Sequence, residues 1–259
     1  MAEHSETGAR PTDDDRVALR GFFLQAVLWL PMMFFLWFAL RSPVVFPVTR
    51  SVKALMESWF AGLVTDVGQE FHTITYAFVV RIQGVPGIPD APLEIGAQYT
   101  NVLMYCYGLP LLFGLIMATP LDWRRTFLQM GVGYLVLLPM QVFGVAGDIL
   151  KTLAFGVRGA VEVGLGDAGF GAQAVAAGIA AERYVHGILA SKGLGLDAIA
   201  LIYQFGYLIL PSVVPIALWI AMNRGFIEGL LARPEPRTAA AGLSAAAPEA
   251  APPSDPREP

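Results

Sequence analysis

Residues 21–40 read GFFLQAVLWLPMMFFLWFAL, a stretch of twenty residues without a charge. At about 1.5 Å per helical residue it spans roughly 30 Å, the thickness of a bilayer's hydrocarbon core. A cleaved signal peptide has an apolar core of about 7–15 residues that ends at small residues. This run is longer and aromatic, and it ends in Arg41-Ser42-Pro43. It reads as an uncleaved signal-anchor helix. Three more long apolar runs follow: 101–119 (NVLMYCYGLPLLFGLIMAT), 127–149, which closes with Gly147-Asp148, and 194–222, with Asp197 near its start. Pro31, Pro110, Pro139, Pro211 and Pro215 lie inside these runs. Membrane helices tolerate proline because neighbouring groups satisfy the freed carbonyls, so kinks are expected there.

The whole composition agrees with those runs. Of 259 residues, 55% are hydrophobic and 15% charged, and the mean hydropathy is +0.56. Soluble domains carry about 25% charged residues. A net charge of −4 provides no field for polyanions, which excludes nucleic acid as a partner. A single cysteine, Cys106, excludes an internal disulfide.

Basic residues set the orientation. Arg10, Arg16 and Arg20 precede the first run, Arg124 and Arg125 fill the short turn between the second and third, and Arg224, Arg233 and Arg237 follow the fourth. Four spans put all three sets on one side, which favours both termini in the cytoplasm. The reading is therefore an all-α membrane protein: a disordered N-terminus (1–20), a membrane domain (21–222) and a disordered cytoplasmic tail (223–259). Seven prolines between Pro234 and Pro259 mark that tail.

Two segments remain outside, 41–100 and 150–193. Val45, Val48, Val52, Met56 and Trp59 recur at helical spacing, which predicts an amphipathic helix over 44–64. It lies in the interface plane or packs on a neighbouring outer segment. From Phe71 to Ile82 the period changes to two, with Ile74, Tyr76 and Phe78 on one face. Alternation of β-branched and aromatic residues predicts a strand. Turn residues fill 83–92, and 93–99 alternates again, so a β-hairpin is expected. A lone hairpin is marginally stable in water and needs something to pack on. That partner is the amphipathic helix, the second long outer segment, another protein or lipid, and Ile74, Tyr76 and Phe78 are the candidate partner-binding residues. The glycine-rich stretch 156–171 reads as irregular, and 172–191 as a second short helix on the membrane surface or re-entering it.

Chemistry-bearing residues are sparse. His4, His72 and His186 stand far apart, and no metal, phosphate-loop or hydrolase motif is present, so no metal or cofactor is expected. Asp148 and Lys151 share a helix face three residues apart. That spacing allows an ion pair that ends the span or anchors a partner helix or the hairpin. Gln141 and Gln204 are candidates for hydrogen bonds across helices. Cys106 with His186, and Arg183 or Arg158, would supply the nucleophile and base of a membrane transpeptidase. The plainer reading makes Cys106 a packing residue. A small transporter would need several charges along one intramembrane path, and the spans carry few. No internal repeat is visible.

The order of the segments is specific: LWLPMMFFLWFAL, an amphipathic helix, HTITYAFVVRI paired with LEIGAQYTNVLMY, YGLPLLFGLIMATP, Arg124-Arg125 and LLPMQVFGVAGDILK. This resembles the exosortase H-associated membrane proteins, small integral proteins of Gram-negative bacteria, most closely from Phe22 to Lys151. The landmarks of the match are Asn101, Tyr107, Gly108, Pro110, Asp148 and Lys151. The resemblance implies a non-enzymatic inner-membrane accessory that binds or orients the sorting transpeptidase, exosortase H, or its substrates. Those substrates carry a short motif, a transmembrane helix and a basic tail at their C-terminus. It carries over no catalytic residue. The long turn at 83–92 and the stretch 156–171 depart from it.

Overall fold

The computed structural model describes residues 13–231. Helix α1 (Asp13–Ala39) leads through a bend at Leu40 into α2 (Arg41–Trp59). Strands β1 (Val64–Glu70), β2 (Thr73–Arg81) and β3 (Pro92–Asn101) follow. The chain then enters a short turn of helix, α3 (Leu103–Cys106), and α4 (Gly108–Ala118). Helix α5 (Trp123–Lys151) continues through a π-helical turn at Thr152–Gly156 into α6 (Val157–Asp167). Helix α7 (Gly171–Ser191) turns back, and α8 (Leu196–Gln204), a π turn at Phe205–Ile209 and α9 (Leu210–Met222) form the last long element. Helix α10 (Arg224–Leu231) closes the described chain.

Three helical stretches among the described residues are long and apolar enough to cross a bilayer: Arg20–Ala39, Trp123–Asp167 and Leu196–Met222. Leu103–Ala118 is apolar but shorter. Large apolar side chains lie bare along these stretches, including Phe23, Leu28, Phe35, Phe127, Leu135 and Val213. Soluble proteins do not leave contiguous apolar patches of that extent in water, so lipid is the solvent these faces fit. Inside the bundle, α4 packs on α1, α5 and α9, with Leu109, Leu112, Ile116 and Leu137 at its centre.

Contact between these helices is close because glycine provides it. A Cβ added to Gly206 would stand 2.8 Å from the Cα of Gly144, and one on Gly108 2.7 Å from the carbonyl oxygen of Pro211. Small residues let membrane helices approach backbone to backbone, where van der Waals packing stands in for the missing hydrophobic drive. The π turn precedes Pro211, which has no N–H to continue the ladder.

The larger core lies outside the bundle. The buried face of α2 (Val45, Val48, Thr49, Val52, Met56) packs on β1 and α5. One face of this amphipathic helix is thus packed, while Phe46 and Trp59 on it stay exposed. The sheet is antiparallel in the order β1-β2-β3. A three-stranded open sheet thus replaces the expected lone hairpin. The extra strand answers the marginal stability of two strands alone. Its sequence, VTDVGQE, hides it: Asp66 at φ 50° bulges β1 between Thr65 and Gly68, which breaks the alternation.

Three further expectations are corrected. Residues 156–171 are mostly helical, because Val157, Val161 and Leu165 pack on Ala174, Ala177 and Ala181 of α7. Burial of that stripe outweighs about 1 kcal/mol of lost propensity per glycine. The helix of the third run does not stop at Ile149 but continues through the π turn to Asp167. Residues 13–20 and 224–231, read as parts of disordered ends, are helical; the rest of both ends lies outside the described residues.

Candidate functional site

The C-terminal end of α5 meets the sheet at a polar nest. Lys151 donates to Asp148 Oδ1 at 2.8 Å, and its ammonium lies 4.5 Å from the centre of the Tyr203 ring. Tyr203 stacks on Tyr207, which meets Tyr105 edge to face. Tyr76 reaches the same nest from β2, where it faces Thr152, Thr100 and Asp148. Burial pushes its phenol up to about 12, so it stays neutral across the physiological range. The Asp148–Lys151 pair therefore forms on the predicted helix face, inside a junction between bundle and cap.

Of the partners open to the hairpin, the chain's own amphipathic helix and second long outer segment are the ones that cover Ile74, Tyr76 and Phe78. All three are buried, and they fill the main core under α2, α6 and α7. Alternation located the face correctly, but the chain's own helices cover it. The surface that stays open belongs to β3. This strand pairs with β2 along one edge, and no strand among the described residues pairs with the other. Beside that edge runs a groove of about 1010 Å³ between β3 and α6. Leu93, Ile95 and Tyr99 line one wall, and Gly159, Val163 and Gly164 the other. A Cβ on Gly159 or Gly164 would meet nothing within 4 Å, so internal packing does not require glycine at either position. Strand β1, which alternation could not find, takes one edge of β2 and leaves β1 and β3 as the two edge strands; the groove lies at β3.

Cys106 and His186 are engaged separately. Cys106 is fully buried in the core, and His186 Nε2 lies 2.7 Å from the carbonyl oxygen of Ala154. Arg158 pairs with Glu162 at 2.7 Å. Among the described residues no three or more His, Cys, Asp or Glu side chains gather as a metal site. Gln141 and Gln204 make no hydrogen bond across helices among the described residues: Gln141 is buried with Oε1 unpartnered, and Gln204 is exposed.

A family described as exosortase H-associated membrane protein matches residues 16–180 and 178–226. The chain belongs to that family. The match spans the bundle and the cap together, and it takes in the glycine-rich α6 that departed from the sequence resemblance. As a member of the exosortase H-associated family, the chain is a multi-pass membrane protein. No curated protein and no solved structure matches it.

Proposed function

We propose that this exosortase H-associated protein is a non-catalytic inner-membrane accessory. It crosses the membrane four times, with both termini in the cytoplasm. It binds or orients exosortase H, or the C-terminal sorting signal of that enzyme's substrates, on its periplasmic cap. The shorter helix Leu103–Ala118 serves as the remaining crossing. Its enclosure by α1, α5 and α9 favours this, and a small tilt or local thinning absorbs its length. The arginine-dense turn at Arg124-Arg125 supports the orientation.

The observation that carries the reading is the groove beside β3. An unpaired strand edge presents a row of N–H and C=O groups that an extended segment can pair with, and alternate side chains of that segment would meet the apolar wall of α6. The bare glycines give such a segment room. Buried Cys106 and the carbonyl-bound His186 favour a binding role over a Cys-His nucleophile.

The test is a photo-crosslinking residue in place of Tyr99, which is 64% exposed on the groove wall, in a Cys106→Ser chain expressed in its own cells. The expected product is a single adduct identified as the transpeptidase or as a protein bearing the sorting signal, with sorting intact. Crosslinking to lipid alone would sink the groove assignment. Loss of sorting with the adduct retained would favour the enzyme.

A further inference from the structure

The hairpin joining β1 to β2 turns at Phe71 and His72, between the paired Glu70 and Thr73. Phe71 has φ 54°, in the left-handed region, and is 77% exposed. A bulky residue rarely adopts that conformation, and here no core contact compensates for it. Strain held at an exposed ring is a reason to look for what the ring meets.

Its surroundings answer that. The Gln69 amide donates to the carbonyl of Ser42 at 3.1 Å and to that of Phe71, which ties the tip to the first turn of α2. Ser42 lies two residues beyond the end of the apolar run 21–40, so the tip sits at the level where α1 leaves the membrane. An open cleft of about 480 Å³ is lined by Ser42, Pro43, Phe46, Gln69 and Phe71. Phe46 is exposed, and Arg50 lies 5.4 Å from the centre of its ring; Arg41 lies 4.7 Å from that of Phe38. Among the described residues neither arginine has a carboxylate partner. Phe38 and Phe46, each with a guanidinium over its face, and the exposed Phe71 across the cleft from Phe46 match a phospholipid: acyl carbons for the rings and phosphate for the arginines.

We propose that the β1–β2 tip, the α1–α2 bend with Arg41 and the outer face of α2 with Phe46 and Arg50 form an interfacial anchor for anionic phospholipid. Phe71 and Phe46 enter the boundary between headgroups and acyl chains, and Arg41 and Arg50 meet the lipid phosphate. The anchor fixes the height and tilt of the cap above the membrane, and it stands apart from the groove beside β3.

The test places a nitroxide at Phe71→Cys in the full-length Cys106→Ser chain, reconstituted into vesicles of phosphatidylcholine with or without phosphatidylglycerol. Collision with oxygen and with a water-soluble nickel chelate then reports depth. The expected nickel collision rate is several-fold lower at position 71 than at an aqueous control, Gln83→Cys in the β2–β3 loop. It falls further with phosphatidylglycerol, and the double change Arg41→Gln with Arg50→Gln removes that further fall. Phe46→Cys gives the same reading without disturbing the strained turn. Nickel access at positions 71 and 46 equal to that at 83 overturns the anchor. No response to phosphatidylglycerol overturns the assignment to anionic lipid.

Discussion

Phe78→Ala destabilises the cap by about 3–5 kcal/mol, the range for deleting a fully buried phenyl group. Phe78 is completely buried at the middle of β2, opposite Val64 of β1 and Ile95 of β3. The void left by its ring lies among the sheet, α2 and the α6–α7 pair, and backbone pairing on both sides of β2 limits how far the site can collapse. The effect is confined to the cap, because α1, α4 and α9 pack around a separate cluster at Leu112 and Ile116. Limited proteolysis checks it. Cleavage in the 83–92 loop should appear at a much lower temperature than in the parent chain, while the bundle's helical signal persists. Unchanged protection would mean that the sheet does not carry the core.

Gly144→Val acts on the bundle instead. The helix of Gly144 touches that of Gly206 at backbone distance, and a Cβ at 144 would stand 2.7 Å from the Tyr105 ring and 3.1 Å from the carbonyl of Gly206. Neither backbone can yield without moving a whole helix. Overpacking of a tight contact costs about 1–3 kcal/mol, occasionally more. Here it also pushes Tyr105 away from Tyr207 and the Asp148 nest. The expected outcome is loss of a monodisperse peak in mild detergent and a lower unfolding temperature. Gly131→Ala on the same helix meets nothing within 4 Å and should leave both unchanged. Equal behaviour of the two variants would show that the glycine contact is not structural.

These two positions also show what could be read before the fold was known. Phe78 belongs to an alternating stretch, so its strand and its face were plain. Its destination was not, because period two says that a face is apolar and not what covers it. The covering elements were hidden by local chemistry. Strand β1 is short, and a bulge at Asp66 puts its apolar residues out of phase. Helix α6 carries three glycines, at 159, 164 and 166, directly after Gly156 of the π turn, and the stripe of Val157, Val161 and Leu165 against α7 makes it helical. The apolar runs were legible because bilayer thickness imposes a length. The Asp148–Lys151 pair was legible because three residues on a helix fix its geometry, although the helix continues past it instead of ending there. The groove needed β1, β3 and α6 all in place, so no single stretch of sequence revealed it.

The account rests on a bundle in lipid with its sheet and groove on one side of the membrane and the Arg124 turn on the other. Single cysteines at Gln83 and Asp122 in a Cys106→Ser chain, probed with a membrane-impermeant thiol reagent in cells with a permeable outer membrane, test this directly. Both native residues are exposed. The account predicts labelling at position 83 in intact cells and at position 122 only after the inner membrane is opened. Labelling of both positions under the same condition would contradict it.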